Sequence, residues 1–183
     1  QNPDDAAAFG IKVEKGALLQ GPPGTGKTLF ARCIANSIDG GFHTTVGSDF
    51  AKMYLGETAK GIKKFFADAR KEAERTGKPQ VVFIDEIEAI ARKRGTGGND
   101  GASKEMENAL NTLLSEIDGF DQDNSKLIIL GATNRPEILD DAIVRSGRLG
   151  TKFNIDLPDE LARRAIFNVH TKNKPLDKEL NLE

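Results

Sequence analysis

Disulfides, membrane spans and metal fingers have almost nothing to build on in this sequence. Its 183 residues include one cysteine, one tyrosine, two histidines and no tryptophan. A single cysteine cannot close an internal disulfide, which suits a reducing, cytoplasmic-type compartment. Cys33 itself reads as a small buried apolar residue on a helix rather than a reactive thiol. His43 and His170 are far apart and lack metal-ligand spacing. No run of about 18 apolar residues occurs, so no membrane span is predicted. No signal peptide is read either. Charge of one sign is also missing. A net charge of −2 gives no general surface for polyanions, so nucleic acid is not an expected partner. The short basic run Arg92-Lys93-Arg94 reads as a solvated helix end, favoured there by the helix dipole, ahead of a contact to nucleic-acid phosphate.

Glycine is plentiful, and its placement is informative. Gly21-Pro22-Pro23-Gly24-Thr25-Gly26-Lys27-Thr28 fits G-x-x-x-x-G-K-[ST], a loop that wraps a nucleotide triphosphate. Glycines let the backbone turn tightly and aim successive N–H groups at phosphate oxygens. Lys27 is expected to reach the β- and γ-phosphates, and the Thr28 hydroxyl to hold Mg²⁺. A short apolar run, Ala17-Leu18-Leu19-Gln20, precedes the loop as a strand should. An amphipathic stretch from Leu29 to Ile38 follows as a helix, whose positive N-terminal end favours the same anion. Residues Gly21 to Thr28, with Leu29 at the helix start, are the expected nucleotide contacts.

Along the chain, short apolar runs alternate with longer amphipathic ones. Strands are predicted at 16–20, 41–46, 80–85, 126–131 and 151–156. Helices are predicted at 27–38, 57–75, 86–93, 102–117 and 158–170. Loops are predicted at 76–79, 95–101 and 121–125. Such alternation predicts a mostly parallel five-stranded sheet in a three-layer α/β/α sandwich, with ligands at the carboxyl ends of the strands. Pro158 sits where a new helix opens. Residues 1–157 therefore read as one α/β nucleotide-binding unit, and 158–183 as the truncated start of a second, helical one.

Three further segments carry candidate chemistry. Val81-Val82-Phe83-Ile84 is a buried strand that ends in Asp85 and Glu86. Asp85 is expected to bind Mg²⁺, directly or through water, and Glu86 to polarise the water that attacks the γ-phosphate. Two adjacent carboxylates need nearby positive charge, which the metal and Lys27 supply. Leu127-Ile128-Ile129-Leu130 predicts a neighbouring strand, and Asn134 beyond it can either bond the attacking water or γ-phosphate or cap the turn before Pro136. Arg145 and Arg148 lie three apart at the end of a helical-looking stretch, so both can point one way. In a ring such arginines can reach a neighbour's nucleotide and stabilise transition-state charge.

These segments, in this order, resemble the AAA family of ring-forming ATPases, over nearly the whole chain. GPPGTGKT is similar to the family's Walker A, VVFIDE to its Walker B, and GATN, ending at Asn134, to its sensor 1. The resemblance implies an ATP- and Mg²⁺-dependent ATPase that assembles as a homo-hexamer. It implies arginine fingers at Arg145 and Arg148, and a pore loop of Met53, Tyr54, Leu55 and Gly56 that grips an unfolded polypeptide. It also implies that Asp118-Gly119-Phe120 contacts the neighbouring protomer's site. Gly47-Ser48-Asp49-Phe50 and the run from Val169 to Leu176 are similar to the FtsH-type proteases, with proteasome-regulatory ATPases a close second. Tyr54 stands where FtsH-type proteins usually carry Phe, and Ser146 replaces the proline of the RPGR pattern. The implied function is protein unfolding or translocation coupled to proteolysis. The alternatives are a remodelling ATPase without proteolysis, or a small-molecule kinase using the same phosphate loop. No HEXXH motif occurs, so no peptidase site is expected in this chain. A protease domain or membrane anchor, if the parent protein has one, would lie outside it.

Overall fold

The five apolar runs form one sheet. The computed structural model describes residues 16–51, 57–93, 101–119, 126–172 and 174–175. Strands β1 (Gly16–Gln20), β2 (Gly41–Val46), β3 (Gln80–Asp85), β4 (Leu127–Thr133) and β5 (Thr151–Asn154) lie in the order β2-β3-β4-β1-β5. Every pairing is parallel. Parallel neighbours need long crossovers. Helices supply them: α1 (Lys27–Ser37), α2 (Gly47–Ala51), α3 (Thr58–Thr76) and α4 (Gly101–Asp118), while α5 (Glu160–Thr171) follows the last strand.

The pleat sorts the apolar residues into two layers. Val81 and Phe83 of β3, with Ala17 and Leu19 of β1, face Ala31 and Ala35 of α1. Val82, Ile84 and Leu18 point to the other face, where Ile62 and Phe66 of α3 and Leu113 and Ile117 of α4 cover them. A strand buried on both faces must be apolar at every position, and Val81 to Ile84 are fully buried. The three-layer α/β/α sandwich follows directly. The register brings the strand ends level. Gln20 pairs with Thr133 and with Asn154, and Val46 pairs with Asp85. The loop after β1, the acids after β3 and the polar residues after β4 therefore share one edge.

Four local expectations fail. Residues 86–93 do not form a helix. Only Ile87–Ala89 make a single 3₁₀ turn, and Arg92 bridges Leu139 in antiparallel fashion. The buried Ile87, Ile90 and Ala91 have helical spacing, but Lys93 N–H bonds Ile138 O and Asp140 N–H bonds Ala91 O, both at 2.8 Å. Those cross-chain bonds replace the local ones. Arg92-Lys93 is thus no helix end, and Lys93 Nζ lies 3.4 Å from Asp141; Arg94 is outside the described residues. The stretch before Arg148 is a series of turns, not a helix. Asp140 Oδ1 accepts from Ala142 N–H at 2.9 Å and so holds an Asx-type turn. Cys33 is exposed, because α1 buries the face carrying Lys27, Ala31 and Ala35 and Cys33 lies off it. Finally, the short helix α2 between β2 and the proposed pore loop was not predicted. Met53, Tyr54, Leu55 and Gly56 fall outside the described residues. Among the described residues, no helix is long and apolar enough to cross a membrane.

Candidate functional site

The loop after β1 carries the site's positive charge. Gly24 (φ 75°) and Gly26 (φ 92°) take left-handed backbone that side chains resist, and a Cβ on either would meet nothing within 4 Å. The loop backbone thus borders open space. Thr25 Oγ1 donates to Pro22 O at 3.0 Å and closes the turn. Gly26 is the residue before α1, with no side-chain cap, so the first N–H groups of α1 remain for a ligand.

Lys27 is 6% exposed. Its ammonium donates to Gly21 O (2.9 Å), Pro22 O (2.7 Å) and Asn134 Oδ1 (2.7 Å). Three donors meet three acceptors, and all three are uncharged. A buried ammonium with neutral partners lacks a counter-charge, and an anion entering the loop would supply one. Thr28 Oγ1 donates to Asp85 Oδ2 at 3.0 Å. That hydroxyl–carboxylate pair is the right oxygen set for a hard divalent cation. The loop, the ammonium and this pair all fit a magnesium-bound triphosphate. Among the described residues, no cluster of three or more His, Cys, Asp or Glu side chains suited to a metal is found.

Asp85 also anchors its neighbour. Its Oδ1 accepts from Glu86 N–H at 2.9 Å. Glu86 is exposed and sits at φ 48°, ψ 46°, in the left-handed region. A non-glycine residue held there costs on the order of 1–3 kcal/mol and marks a backbone the surroundings over-determine. The turn aims the chain sharply away from β3 at the ligand edge. Asn134 lies just past β4, which pairs with both β1 and β3. Its Oδ1 accepts from Lys27, and among the described residues the 3₁₀ turn at Pro136 has no side-chain cap, against the turn-cap alternative. The link between Asn134 and Lys27 spans two strands and was not foreseen.

The two arginines separate. Arg148 Nε and Nη2 donate to Asp118 Oδ1 (2.9 Å) and Oδ2 (2.6 Å), and Nη1 donates to Ala142 O (2.7 Å). The bidentate bond to the Asp118 carboxylate raises the guanidinium pKa further above its usual range. Arg148 therefore clasps the end of α4 to the turns at 140–149. Arg145 is exposed, and its side chain makes no hydrogen bond or ion pair among the described residues. Their surroundings therefore differ: Arg148 is engaged within the protomer and Arg145 is exposed. Replacing Arg148 by Ala should destabilise the protomer by about 1 kcal/mol, as a partly exposed bidentate pair warrants, which lowers Tm by roughly 2–4 °C. Arg145→Ala should leave the melt unchanged. Calorimetry on both variants tests this, and equal melting points would remove the clasp.

Comparison with known proteins agrees with this geometry. Residues 17–157 match the model of the "ATPase family associated with various cellular activities (AAA)". Relatives named ATP-dependent zinc metalloprotease FtsH align along the whole chain. One from the Aster yellows witches'-broom phytoplasma is 47% identical over 183 residues, and one from Thermotoga maritima is 45% identical over 183. One from Salinibacter ruber, FtsH 2, is 43% identical over 183. The chain spans 26%, 29% and 26% of their respective lengths. With the phosphate loop, the acidic strand end and the parallel sheet in the order described, the chain belongs to the AAA family of ATPases, as a module of the FtsH type.

Proposed function

We propose that this chain is the ATP-hydrolysing module of a homo-hexameric ring that unfolds proteins and threads them through a central pore. The carrying observation is the meeting of Lys27, Thr28, Asp85 and Asn134 at one sheet edge, beside the two left-handed glycines. Lys27 and the loop N–H groups bind and orient the phosphates. Thr28 and Asp85 would hold Mg²⁺, which neutralises phosphate charge when bound. Glu86 takes a proton from the attacking water. Asn134, once Lys27 turns to phosphate, has its amide free to orient that water or the γ-phosphate. Arg145 serves a neighbour's site in trans; Arg148 does so only after exchanging Asp118 for phosphate.

The relatives' name couples ATP dependence to a zinc protease. In the present protein, proteolysis would reside in segments outside this chain, as would any contact with a membrane. Residues 1–157 serve as the nucleotide-binding subdomain, and 158–183 begin a helical lid. Leu161, Ile166 and Val169 of α5 are exposed apolar residues, which supports a helix whose covering layer comes from further chain.

Met53, Tyr54, Leu55 and Gly56 line the pore in this reading. An aromatic ring grips many sequences through apolar area and stacking without reading any one of them. In the full-length assembled protein, Tyr54→Ala should keep basal ATP hydrolysis within a few-fold and lose unfolding of a tagged model substrate. Normal unfolding by that variant would refute the threading role. Loss of ATP binding or of the fold would assign Tyr54 to the core instead.

A further inference from the structure

The water-activating acid has a neighbour that the reading above leaves without a role. Gly47 is buried at the start of α2, against the turn that follows β3. A Cβ built on it would lie 2.5 Å from the carbonyl oxygen of Glu86 and 3.3 Å from the Ala89 Cβ. Atoms do not approach so closely, and a backbone carbonyl cannot swing aside as a flexible side chain can. The φ of Gly47 is not in the left-handed region, so space is the requirement at this position.

Glu86 is the residue held in the unusual conformation. Only Asp39 and Glu86 among the described non-glycine residues have positive φ. The Glu86 turn is pinned on two sides by hydrogen bonds. Its N–H donates to Asp85 Oδ1 at 2.9 Å, and its carbonyl accepts from Ala89 N–H at 2.9 Å. Gly47 forms the third side. Any push on that carbonyl rotates the Glu86 peptide, and the direction of the side chain turns with it.

We propose that Gly47 is a positioning residue for ATP hydrolysis: the missing side chain lets the start of α2 lie against the Glu86 carbonyl and so holds the carboxylate in line with the attacking water. This rests on the assignment of Glu86 as the proton acceptor. A carboxylate displaced by a fraction of an ångström to about 1 Å costs turnover by roughly 10- to 100-fold, while groups that only bind phosphate are untouched.

The test uses the full-length assembled protein. Gly47→Ala should keep ATP affinity and KM within a few-fold and lower kcat by roughly 10- to 100-fold, while the overpacked contact lowers the melting temperature by several degrees without unfolding the protein. Ala89→Val crowds Gly47 from within the Glu86 turn itself and should lower kcat in the same sense; it decides the matter if Gly47→Ala does not fold. Wild-type kcat in either folded variant overturns the proposal. So does a Gly47→Ala defect confined to ATP affinity, which would make the position merely structural. Glu86→Gln, measured alongside, separates the two assignments. Normal turnover in Glu86→Gln sinks the proton-acceptor role itself. An inactive Glu86→Gln beside fully active Gly47→Ala and Ala89→Val sinks only the role of Gly47.

Discussion

Glu86→Gln should leave ATP tightly bound and slow its hydrolysis by roughly 10²–10⁴-fold, the loss expected when a general base is removed. Gln preserves the length and shape of the side chain, so the left-handed turn at φ 48° faces no new steric demand. Lys27, Thr28 and Asp85 are untouched, so affinity is retained. Asp85 cannot readily take over. Its two oxygens already accept from Thr28 Oγ1 and Glu86 N–H. Lys27 offers no alternative base, because an ammonium carries three donors and no lone pair to accept a proton. The measurement is single-turnover hydrolysis in the full-length assembled protein, with ATP binding followed separately. Normal hydrolysis would mean that another residue activates the water. Loss of binding would mean that Glu86 shapes the loop.

The sheet was legible because its central strands are buried on both faces. Val81 to Ile84 need no partner to be recognised, since only a doubly covered strand is apolar at every position. The phosphate loop was legible because it is local: loop, ammonium and hydroxyl lie within eight residues. What failed was decided by distant chain. Ile87, Ile90 and Ala91 carry the spacing of a helix, yet bonds to Ile138 and Asp140 decide the path. Arg145 and Arg148 look equivalent by spacing, yet Asp118, thirty positions away, captures one and not the other. Asn134 was placed at a strand end correctly, but its bond to Lys27 depends on β4 lying beside β1. The helix α2 is only five residues long, too short for a periodic pattern to register. Local signals are thus reliable where one segment supplies the whole environment, and they fail where two segments compete for the same backbone groups or charges.

Lys27→Ala should collapse ATP affinity. The lysine is 6% exposed and, among the described residues, has only neutral acceptors, so its buried charge has no counter-charge there. An entering phosphate supplies that charge to an ammonium that is itself almost fully desolvated. Truncating one partner of such a buried, hydrogen-bonded charge pair costs about 2–5 kcal/mol, or roughly a 30- to 4,000-fold loss in affinity. The folded protomer should suffer much less. Removing the ammonium leaves Gly21 O and Pro22 O at the rim of the loop, where water can replace it, and the core layers on both faces of the sheet are unchanged. The expected result is therefore a melting temperature near wild type together with titration heats that vanish at micromolar ATP. ADP should weaken too, because the β-phosphate is within the lysine's expected reach. Affinity within a few-fold of wild type, in a protein that melts normally, would show that the glycine loop alone holds the phosphates and that Lys27 serves chiefly to tie Asn134 to the loop.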